Sequence, residues 1–224
     1  MKIDVTEKLI KIHIENPEEN FPSPESILNM ITNQRQIIID YADVGLVNVG
    51  FNSFDSYKKA YNESASSKHF MEEALTEAYK GIARKDGGPF GSVVVLDGEI
   101  IGRGHNLVLL NNDPTAHGEV SAIRDACKHM NSPHLDRAVL YTTSYPCPMC
   151  LAAMMWAHID QFYYGCTVKD AKQIGFDDTE FYRRFLSNDS QDSISDGQIK
   201  HKNIMRSACV QLFNYYETLN PTKY

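Results

Sequence analysis

Two short segments of the sequence carry residue types that can perform chemistry together. The first is His117-Gly118-Glu119, and the second is Pro146-Cys147-Pro148-Met149-Cys150. They form the H-x-E and P-C-x-x-C pattern, in which one His and two Cys bind zinc while the Glu, which is not a ligand, moves protons. Structural zinc sites are closed by four protein ligands, whereas catalytic sites keep one position open. Three ligands therefore predict a catalytic zinc site, with Zn²⁺ as the cofactor.

The spacing of these residues predicts how the three ligands meet. Pro148 is typical of the first position of a helix, so Cys147 and Cys150 are expected on one face of its first turn. His117 stands just before a helical pattern over residues 120–130, and a strand-like segment lies between the two groups. A helix, a strand and a helix packed on one sheet keep both helices parallel, with their amino ends at the same edge. The three ligands are therefore expected to converge on one point.

A structural zinc finger is the alternative interpretation of these ligands. Its fourth ligand would come from Cys127, Cys166, His105 or His134. None of these residues repeats a C-x-x-C spacing, and a finger has no use for Glu119. Glu119 is predicted to be the catalytic proton carrier, although a first-turn carboxylate also stabilises a helix dipole. The pattern favours the catalytic site.

Length and composition limit the class of protein. A chain of 224 residues predicts one domain with an extension, and a formal net charge of -7 disfavours a protein that grips RNA. A small neutral substrate fits this charge better than a nucleic acid. Five Cys, no secretory segment and no long apolar run predict a reduced, cytoplasmic protein without a membrane partner.

The order of the predicted elements favours an α/β sandwich, with helices on both faces of a mixed sheet. Residues 1–67 form an extension that carries no catalytic pattern, residues 68–186 hold the zinc domain, and residues 187–224 hold a linker, a helix and a tail. The predicted elements are a strand through Ile10, Ile12 and Ile14, a helix from Ser23 to Ile38, a core-facing helix that starts at Ser67, a hairpin over 91–102, a strand over 161–166, a helix over 179–186, a mobile polar linker over 187–202 and a final amphipathic helix over 204–216.

Five segments go beyond the general zinc pattern. They are Gly88-Pro89-Phe90-Gly91, Gly104-His105-Asn106, Asn112-Asp113-Pro114-Thr115-Ala116-His117, Pro146-Cys147-Pro148-Met149-Cys150 and Ile174-Gly175-Phe176-Asp177-Asp178. Together they resemble the guanine deaminases of the cytidine deaminase superfamily. The resemblance covers residues 70–185 well, the C-terminal helix and tail more loosely, and the first 67 residues not at all. It implies a cytidine deaminase-like three-layer α/β/α sandwich, and zinc-dependent hydrolysis of guanine to xanthine and ammonia in a homodimer.

The resemblance also implies which residues contact the substrate. Asn106 and one of Asp177 and Asp178 would hold the base, and Phe90 and Trp156 would wall its faces. A carboxylate selects guanine because guanine has a donor at N1 where adenine has an acceptor. Taken alone, the two Asp are also an ordinary helix-capping pair, and Asn106 is also a turn residue. Phe90 and Trp156 are equally typical of core aromatics.

Three further positions bear on the pocket. The backbone N–H groups of Gly118 and Cys147, at helix amino ends, are expected to face developing negative charge. Gly118 replaces the Ala common in the family, and Tyr145 replaces a common Glu, which bears on substrate choice rather than on zinc. In similar guanine deaminases the C-terminal segment crosses to the partner subunit and closes its pocket. Tyr224, the last residue after Pro221, would match the Tyr of that lid.

The zinc pattern is compatible with several other functions. The same site would serve a deaminase of guanosine, cytosine or another base, a tRNA adenosine deaminase, or a scaffold without turnover. The acidic charge counts against tRNA, and the Gly-Phe-Asp-Asp loop counts against cytosine. The intact zinc ligands and Glu119 count against a scaffold.

Overall fold

The computed structural model describes the backbone of residues 2–5, 9–14, 36–41, 45–49, 54–186 and 200–221, and the side chains of residues 65–183 and 200–221. The chain divides into two compact units, residues 1–68 and residues 69–224. Each unit has its own β-sheet.

The first unit contains a four-stranded sheet. Its strands are β1 (Lys2–Val5), β2 (Leu9–Ile14), β3 (Gln36–Tyr41) and β4 (Gly45–Val49), in that spatial order. The central pair β2 and β3 is parallel, and the two outer pairs are antiparallel. Strand β2 confirms the alternation of Ile10, Ile12 and Ile14.

The helix predicted from Ser23 to Ile38 is wrong at its end. Ile38 lies in β3, where Ile37-Ile38-Ile39 form consecutive β-branched residues that favour a strand over a helix. The start of that predicted helix, within residues 15–35, lies outside the described residues.

The first helix of the described chain, α1 (Phe54–Arg84), begins well before Ser67, where the sequence places its start. The Ser64-Ala65-Ser66-Ser67 segment, interpreted as a boundary, lies inside this helix. Ala and Ser are tolerated in helix interiors, and the segment contains neither Gly nor Pro to stop the helix. The helix start at Ser67 was therefore predicted too late, because Ser and Ala do not by themselves interrupt a helix, whereas the division of the chain after residue 68 lies next to the predicted domain boundary.

The second unit is built on a mixed five-stranded sheet, as predicted. Its strands are β5 (Gly91–Leu96), β6 (Glu99–His105), β7 (Val139–Ser144), β8 (Gln161–Cys166) and β9 (Lys200–Asn203). Their spatial order is β6-β5-β7-β8-β9, with β5 antiparallel to β6 and β7, and with β7, β8 and β9 parallel. The predicted hairpin is β5 and β6. Strand β9 begins inside the predicted linker. The sequence did not indicate this strand, because a short, exposed, Lys-rich edge strand lacks an apolar pattern.

Six more helices complete the described part of this unit. The final helix and the helix over 179–186 match their predictions. None of the helices described is both long enough and apolar enough to cross a lipid bilayer. The six are α2 (Val108–Asn111), α3 (Gly118–Met130), α4 (Pro148–Trp156), α5 (Val168–Gln173), α6 (Thr179–Leu186) and α7 (Arg206–Thr218).

The helices lie on both faces of the sheet. Alternate residues of a strand point to opposite faces, so each central strand contributes to two core clusters. Val93 and Tyr141 pack in one core cluster with residues of α1 and α7. Val94 and Leu140 pack in a second cluster with residues of α3 and α4. This is the predicted three-layer arrangement.

Two glycines of β6 bring α3 close to the sheet. A Cβ atom at Gly104 would lie 2.3 Å from the backbone N of Ala122, and one at Gly102 would lie 2.4 Å from its carbonyl oxygen. Any larger residue would push α3 outward. Since α3 begins directly after His117, this close contact fixes the height of the His117 side chain above the sheet.

The strand directions gather the chemical residues at one edge. Strand β5 begins there, after Phe90, and its antiparallel neighbours β6 and β7 end there. Strand β8 is parallel to β7, so the loop towards Asp178 leaves from the same edge.

Candidate active site

The structure brings together the three predicted metal ligands. His117 and Cys147 are the N-cap residues of α3 and α4, and Cys150 lies in the first turn of α4. The Nδ1 atom of His117 lies 3.6 Å from each of the two Sγ atoms, which are 3.6 Å apart. In the described part of the chain, this is the one such group of His, Cys and acidic ligands.

The spacing of these atoms fits zinc. With zinc bonds of about 2.3 Å to sulfur and about 2.0 Å to nitrogen, tetrahedral ligands lie roughly 3.5 to 3.8 Å apart. The observed separations of 3.6 Å fall in that range. One His and two Cys leave a fourth position for a reacting molecule, as catalytic zinc sites require.

The surroundings of Cys147 and Cys150 change the pKa of both thiols. A hydrogen bond from the Cys150 thiol and the neighbouring His117 lower the pKa of Cys147 to about 4. The Cys147 thiolate and burial raise the pKa of Cys150. Both cysteines bind a cation as thiolates, so a cation that binds the pair displaces their protons.

Glu119 lies beside this group. It is buried in the first turn of α3, and its Oε2 atom lies 3.5 Å from the Sγ atom of Cys150. Burial raises the pKa of its carboxyl group. A carboxyl group with a raised pKa next to an open metal position is suited to take up and release protons.

Asn106 is almost fully buried directly after β6. Its Oδ1 atom accepts hydrogen bonds from the backbone N–H groups of Gly88 and Val108, at 3.3 and 3.2 Å. Its backbone N–H donates to the carbonyl oxygen of Phe90. These bonds fix the orientation of the side-chain amide, with Nδ2 as its donor end. Asn106 therefore also has the structural role that the turn interpretation gave it.

His105, the residue before Asn106, belongs to a buried ionic cluster. The Nε2 atom of His105 lies 2.8 Å from a carboxylate oxygen of Asp86, and its Nδ1 atom lies 3.8 Å from one of Glu77. The neighbouring His105, followed by Lys80, lowers the pKa of Glu77 to about 2. Glu77 and then Asp86 raise the pKa of His105. His105 is thus assigned to this cluster and not to the metal.

This cluster predicts a pH-dependent contribution to stability. Glu77 stabilises the fold above its ordinary pKa of 4.5, and this contribution is lost as the pH falls towards 2. His105 stabilises it below 6.5, and its contribution is lost as the pH rises through its raised pKa. Replacing His105 with Gln is therefore expected to lower the Tm most between pH 4.5 and 6.5 and less at higher pH, as measured by thermal unfolding. His158→Gln, at a surface contact with Asp136, is the control. A Tm difference that grows towards high pH would contradict this assignment.

The two Asp residues of the loop before α6 have different environments. The Asp177 carboxylate is exposed, accepts a hydrogen bond from the Thr179 backbone N–H at 3.0 Å and pairs with Lys172 at 2.9 Å. Those hydrogen bonds lower its pKa to about 2. Asp178 is half-buried, and burial followed by the nearby Cys147 thiolate raises its pKa to about 6. Asp178 is therefore the more buried of the two carboxylates and lies near enough to Cys147 and His117 for their charges to change its pKa, while Asp177 stabilises the start of α6.

Phe90 packs against the core cluster of α1 and α7, and Gly118 lies beside its backbone. The Phe90 ring packs edge-on against Phe176 and Phe213, with ring centroids 4.9 and 5.6 Å apart. A Cβ atom at Gly118 would lie 2.9 Å from the carbonyl oxygen of Phe90. Gly118 therefore relieves a tight contact between α3 and the segment that holds Phe90.

Trp156 is the last residue of α4 and is 83% exposed. The zinc cysteines lie at the amino end of the same helix, which rises by about 1.5 Å per residue. The side chain therefore does not pack in the core of its own chain, and its role in walling the base stays a prediction.

The tail prediction falls outside the described residues, which end at Pro221 before Tyr224. Helix α7, just before the tail, packs on the core of its own chain through Cys209, Leu212, Phe213 and Tyr216. Arg206 at its start pairs with the buried carboxylate of Asp170.

Two contacts at the site were missed from the sequence. The hydroxyl of Thr142 in β7 donates to the Oε1 atom of Glu119 at 3.2 Å. The hydroxyl of Tyr182 in α6 donates to the carbonyl oxygen of Pro146. The polar Thr142-Thr143-Ser144 run at the end of an otherwise apolar strand was the available signal for the first contact. The position of Tyr182, one helical turn after Asp178, was the signal for the second.

Together the mixed sheet, the His and Cys group and the buried Glu119 define the class of this protein. The chain belongs to the cytidine and deoxycytidylate deaminase family, and it is a hydrolytic deaminase with the expected cytidine deaminase-like fold. Residues 64–166 match the family model described as the cytidine and deoxycytidylate deaminase zinc-binding region.

The similar proteins include deaminases of two substrate types. A guanine deaminase of Bacillus subtilis (strain 168) is 48% identical over 114 residues, which cover 51% of this chain and 73% of that protein. A tRNA-specific adenosine deaminase of Agrobacterium fabrum is 46% identical over 101 residues, which cover 45% of this chain and 66% of that protein. The X-ray structure of a Bacillus subtilis guanine deaminase matches 70% of this chain and 97% of its own, with a TM-score of 0.52 and 37% identity.

Proposed function

We propose that this enzyme hydrolyses guanine to xanthine and ammonia with zinc as its cofactor, a reaction of purine salvage and catabolism. The observation that carries the proposal is the half-buried carboxylate of Asp178 next to the metal group, with its neighbour Asp177 engaged elsewhere. The similarity to the Bacillus subtilis guanine deaminase supports the same substrate.

In this proposal Cys147, Cys150 and His117 hold the zinc, which when bound supplies a Lewis acid that makes hydroxide available at neutral pH. Glu119 takes one proton from the attacking water and passes it to a ring nitrogen of the base. It then carries the second proton, from the newly formed hydroxyl group, to the amine, so that the C–N bond breaks as the C=O bond of xanthine forms and ammonia leaves. Reduced thiolates are required for this site. We therefore place the enzyme in the cytoplasm, where thiols stay reduced.

The base is held by groups of opposite hydrogen-bonding type. With a pKa of about 6, Asp178 is mostly ionised at neutral pH and accepts N–H groups of guanine. Asn106, whose Oδ1 atom is engaged by backbone N–H groups, offers Nδ2 as a donor to an acceptor of the base. Adenine has an acceptor at N1, so it would donate no hydrogen bond to the Asp178 carboxylate from that position. Leaving a carboxylate without a hydrogen bond is costly in a buried pocket.

A tRNA adenosine substrate is the second candidate, because tRNA-specific adenosine deaminases are also similar in sequence to this chain. The formal net charge of -7 opposes it, since proteins that bind folded RNA neutralise phosphates with Lys and Arg. The charge and Asp178 together favour a small purine base over RNA.

Replacing Asp178 with Asn tests the assignment of the base reader. The variant is expected to keep its zinc and its Tm, while kcat/KM for guanine falls by about 100-fold, since the carboxylate that accepts the substrate N–H groups is gone. Steady-state kinetics of ammonia release measure the effect. Asp177→Asn is the matched control, because it alters the neighbouring carboxylate that contacts Thr179 and Lys172. A larger loss of kcat/KM in the Asp177 variant would assign recognition of the base to Asp177 instead of Asp178.

We further propose that the enzyme is a homodimer, in which residues 222–224 of each chain close the pocket of the partner. An open metal site requires water to be excluded once substrate is bound, and Pro221 prevents α7 from continuing. Deleting residues 222–224 is expected to leave zinc content and Tm unchanged, while guanine turnover falls by about 10-fold. Full turnover by the shortened chain, or by a strictly monomeric form, would show that the tail is no lid.

A further inference from the structure

We infer that Thr142 is a positioning residue for the catalytic Glu119, and that Ser92 completes a chain of two hydroxyl groups behind it. The Ser92 hydroxyl donates to the Oγ1 atom of Thr142 at 3.0 Å, and the Thr142 hydroxyl donates to the Oε1 atom of Glu119 at 3.2 Å. The inference rests on the role of Glu119 in deamination and not on which base is deaminated.

Both hydroxyl groups belong to buried positions of the sheet. Ser92 and Thr142 are paired across β5 and β7, and both are fully buried. They lie on the sheet face where Val94 and Leu140 pack against α3 and α4. Further from the site this face is apolar. At the site edge it carries two hydroxyl groups under the first turn of α3.

Burying a hydroxyl group is unfavourable unless it is hydrogen-bonded, so an isolated Ser or Thr would be a poor choice at either position. The two hydroxyl groups satisfy each other and end on a buried carboxylate. Both donate towards Glu119, which is the direction that stabilises its ionised form. The two hydroxyl groups therefore stabilise the ionised form of Glu119, which is the form that accepts a proton.

The hydrogen bond from Thr142 gives the two carboxylate oxygens of Glu119 different surroundings. Oε1 is held by the sheet, while Oε2 lies on the side of the metal group, 3.5 Å from the Sγ atom of Cys150. A Glu side chain has several rotatable bonds, and proton transfer requires the accepting oxygen to be within hydrogen-bond reach of the reacting water. By holding Oε1, Thr142 keeps Oε2 in the productive position.

The test compares Thr142→Val, which removes the hydroxyl and keeps the β-branched shape, with Thr142→Ser, which keeps the hydroxyl. In the Val variant kcat is expected to fall about 10-fold, while KM and zinc content stay within about twofold of wild type. The Ser variant is expected to recover most of the lost kcat. Ser92→Ala, which removes only the second link, is expected to lower kcat by about threefold, as a weaker effect of the same kind.

A structural role is separated from a positioning role by a double-mutant cycle. If Thr142 acts through Glu119, then Thr142→Val has no further effect on kcat in a Glu119→Gln background. Thr143→Val is the matched control, because it removes a neighbouring buried hydroxyl that contacts the Gly91 N–H and the Pro89 carbonyl oxygen instead of Glu119. It is expected to lower the Tm without the loss of kcat seen in Thr142→Val.

Kinetics are measured with whichever base the wild-type enzyme deaminates, so failure of guanine as a substrate is distinct from failure of this inference. An unchanged kcat in Thr142→Val would overturn the inference. So would a Ser variant as slow as the Val variant, or an equal further loss in the Glu119→Gln background. If Thr142→Val does not fold, an unchanged kcat in Ser92→Ala would overturn it.

Discussion

Replacing Cys150 with Ala is expected to reduce the zinc content from one ion per chain to almost none, and to reduce deamination below detection. Cys150 is one of only three residues in the described metal group. Its loss leaves His117 and Cys147, and two ligands do not hold a catalytic zinc ion in competition with water. Elemental analysis of the purified variant and an ammonia-release assay measure the two effects.

Cys127→Ala is the matched control for this prediction. Cys127 is a free cysteine whose thiol contacts the carbonyl oxygen of Pro133, outside the metal group. Its replacement is expected to leave zinc content and turnover close to wild type. A Cys150 variant that keeps full activity, or an active wild-type protein without zinc, would contradict the assignment of the metal site.

Replacing Glu119 with Gln is expected to slow turnover by ~10²–10⁴-fold while zinc stays bound, because general acid–base catalysis contributes about that factor. Gln has nearly the same size and still accepts a hydrogen bond from Thr142, but it does not carry a proton between water and base. Single-turnover kinetics, zinc analysis and a binding measurement with guanine separate chemistry from binding.

Glu99→Gln provides the control, because Glu99 is exposed at the start of β6 and away from the metal group. It is expected to retain wild-type kcat. Near-normal turnover by Glu119→Gln would remove Glu119 from the mechanism, and loss of zinc in that variant would show that it acts mainly in forming the metal site.

The metal group was predictable from the sequence because its signals are local. Pro148 marks the helix start that places Cys147 and Cys150 in one turn, and the helix after His117 follows the same rule. The strands of the second unit were predictable for a related reason, since β5, β7 and β8 are short apolar runs between polar turns. The order of these elements then indicated one mixed sheet.

Other features depend on tertiary contacts that a sequence does not display. Strand β9 is exposed and polar, and its pairing with β8 defines it, whereas its composition does not. Ile38 fits both a helical stripe and a strand, and strand pairing decides between them. Trp156 matched an aromatic position of the family, but only the orientation of α4 shows that its side chain is exposed.

The substrate contacts show the same limit. Asp177 and Asp178 are neighbours of the same type, and the contact of Asp177 with Lys172 distinguishes them. The bond between Thr142 and Glu119 joins residues 23 positions apart, which the sheet register brings together. The sequence predicts which residues react, whereas the residues that position them are visible only in the fold.

The most direct test of this account is an ammonia-release assay of the zinc-loaded wild-type enzyme across a panel of substrates. The panel contains guanine, guanosine, cytosine, adenine and an RNA hairpin that displays a single-stranded adenosine. We expect guanine to have the highest kcat/KM, by at least about 100-fold over adenine, because guanine presents an N1 donor to Asp178 where adenine has an acceptor. Faster deamination of the RNA hairpin, or of cytosine, than of guanine would contradict it.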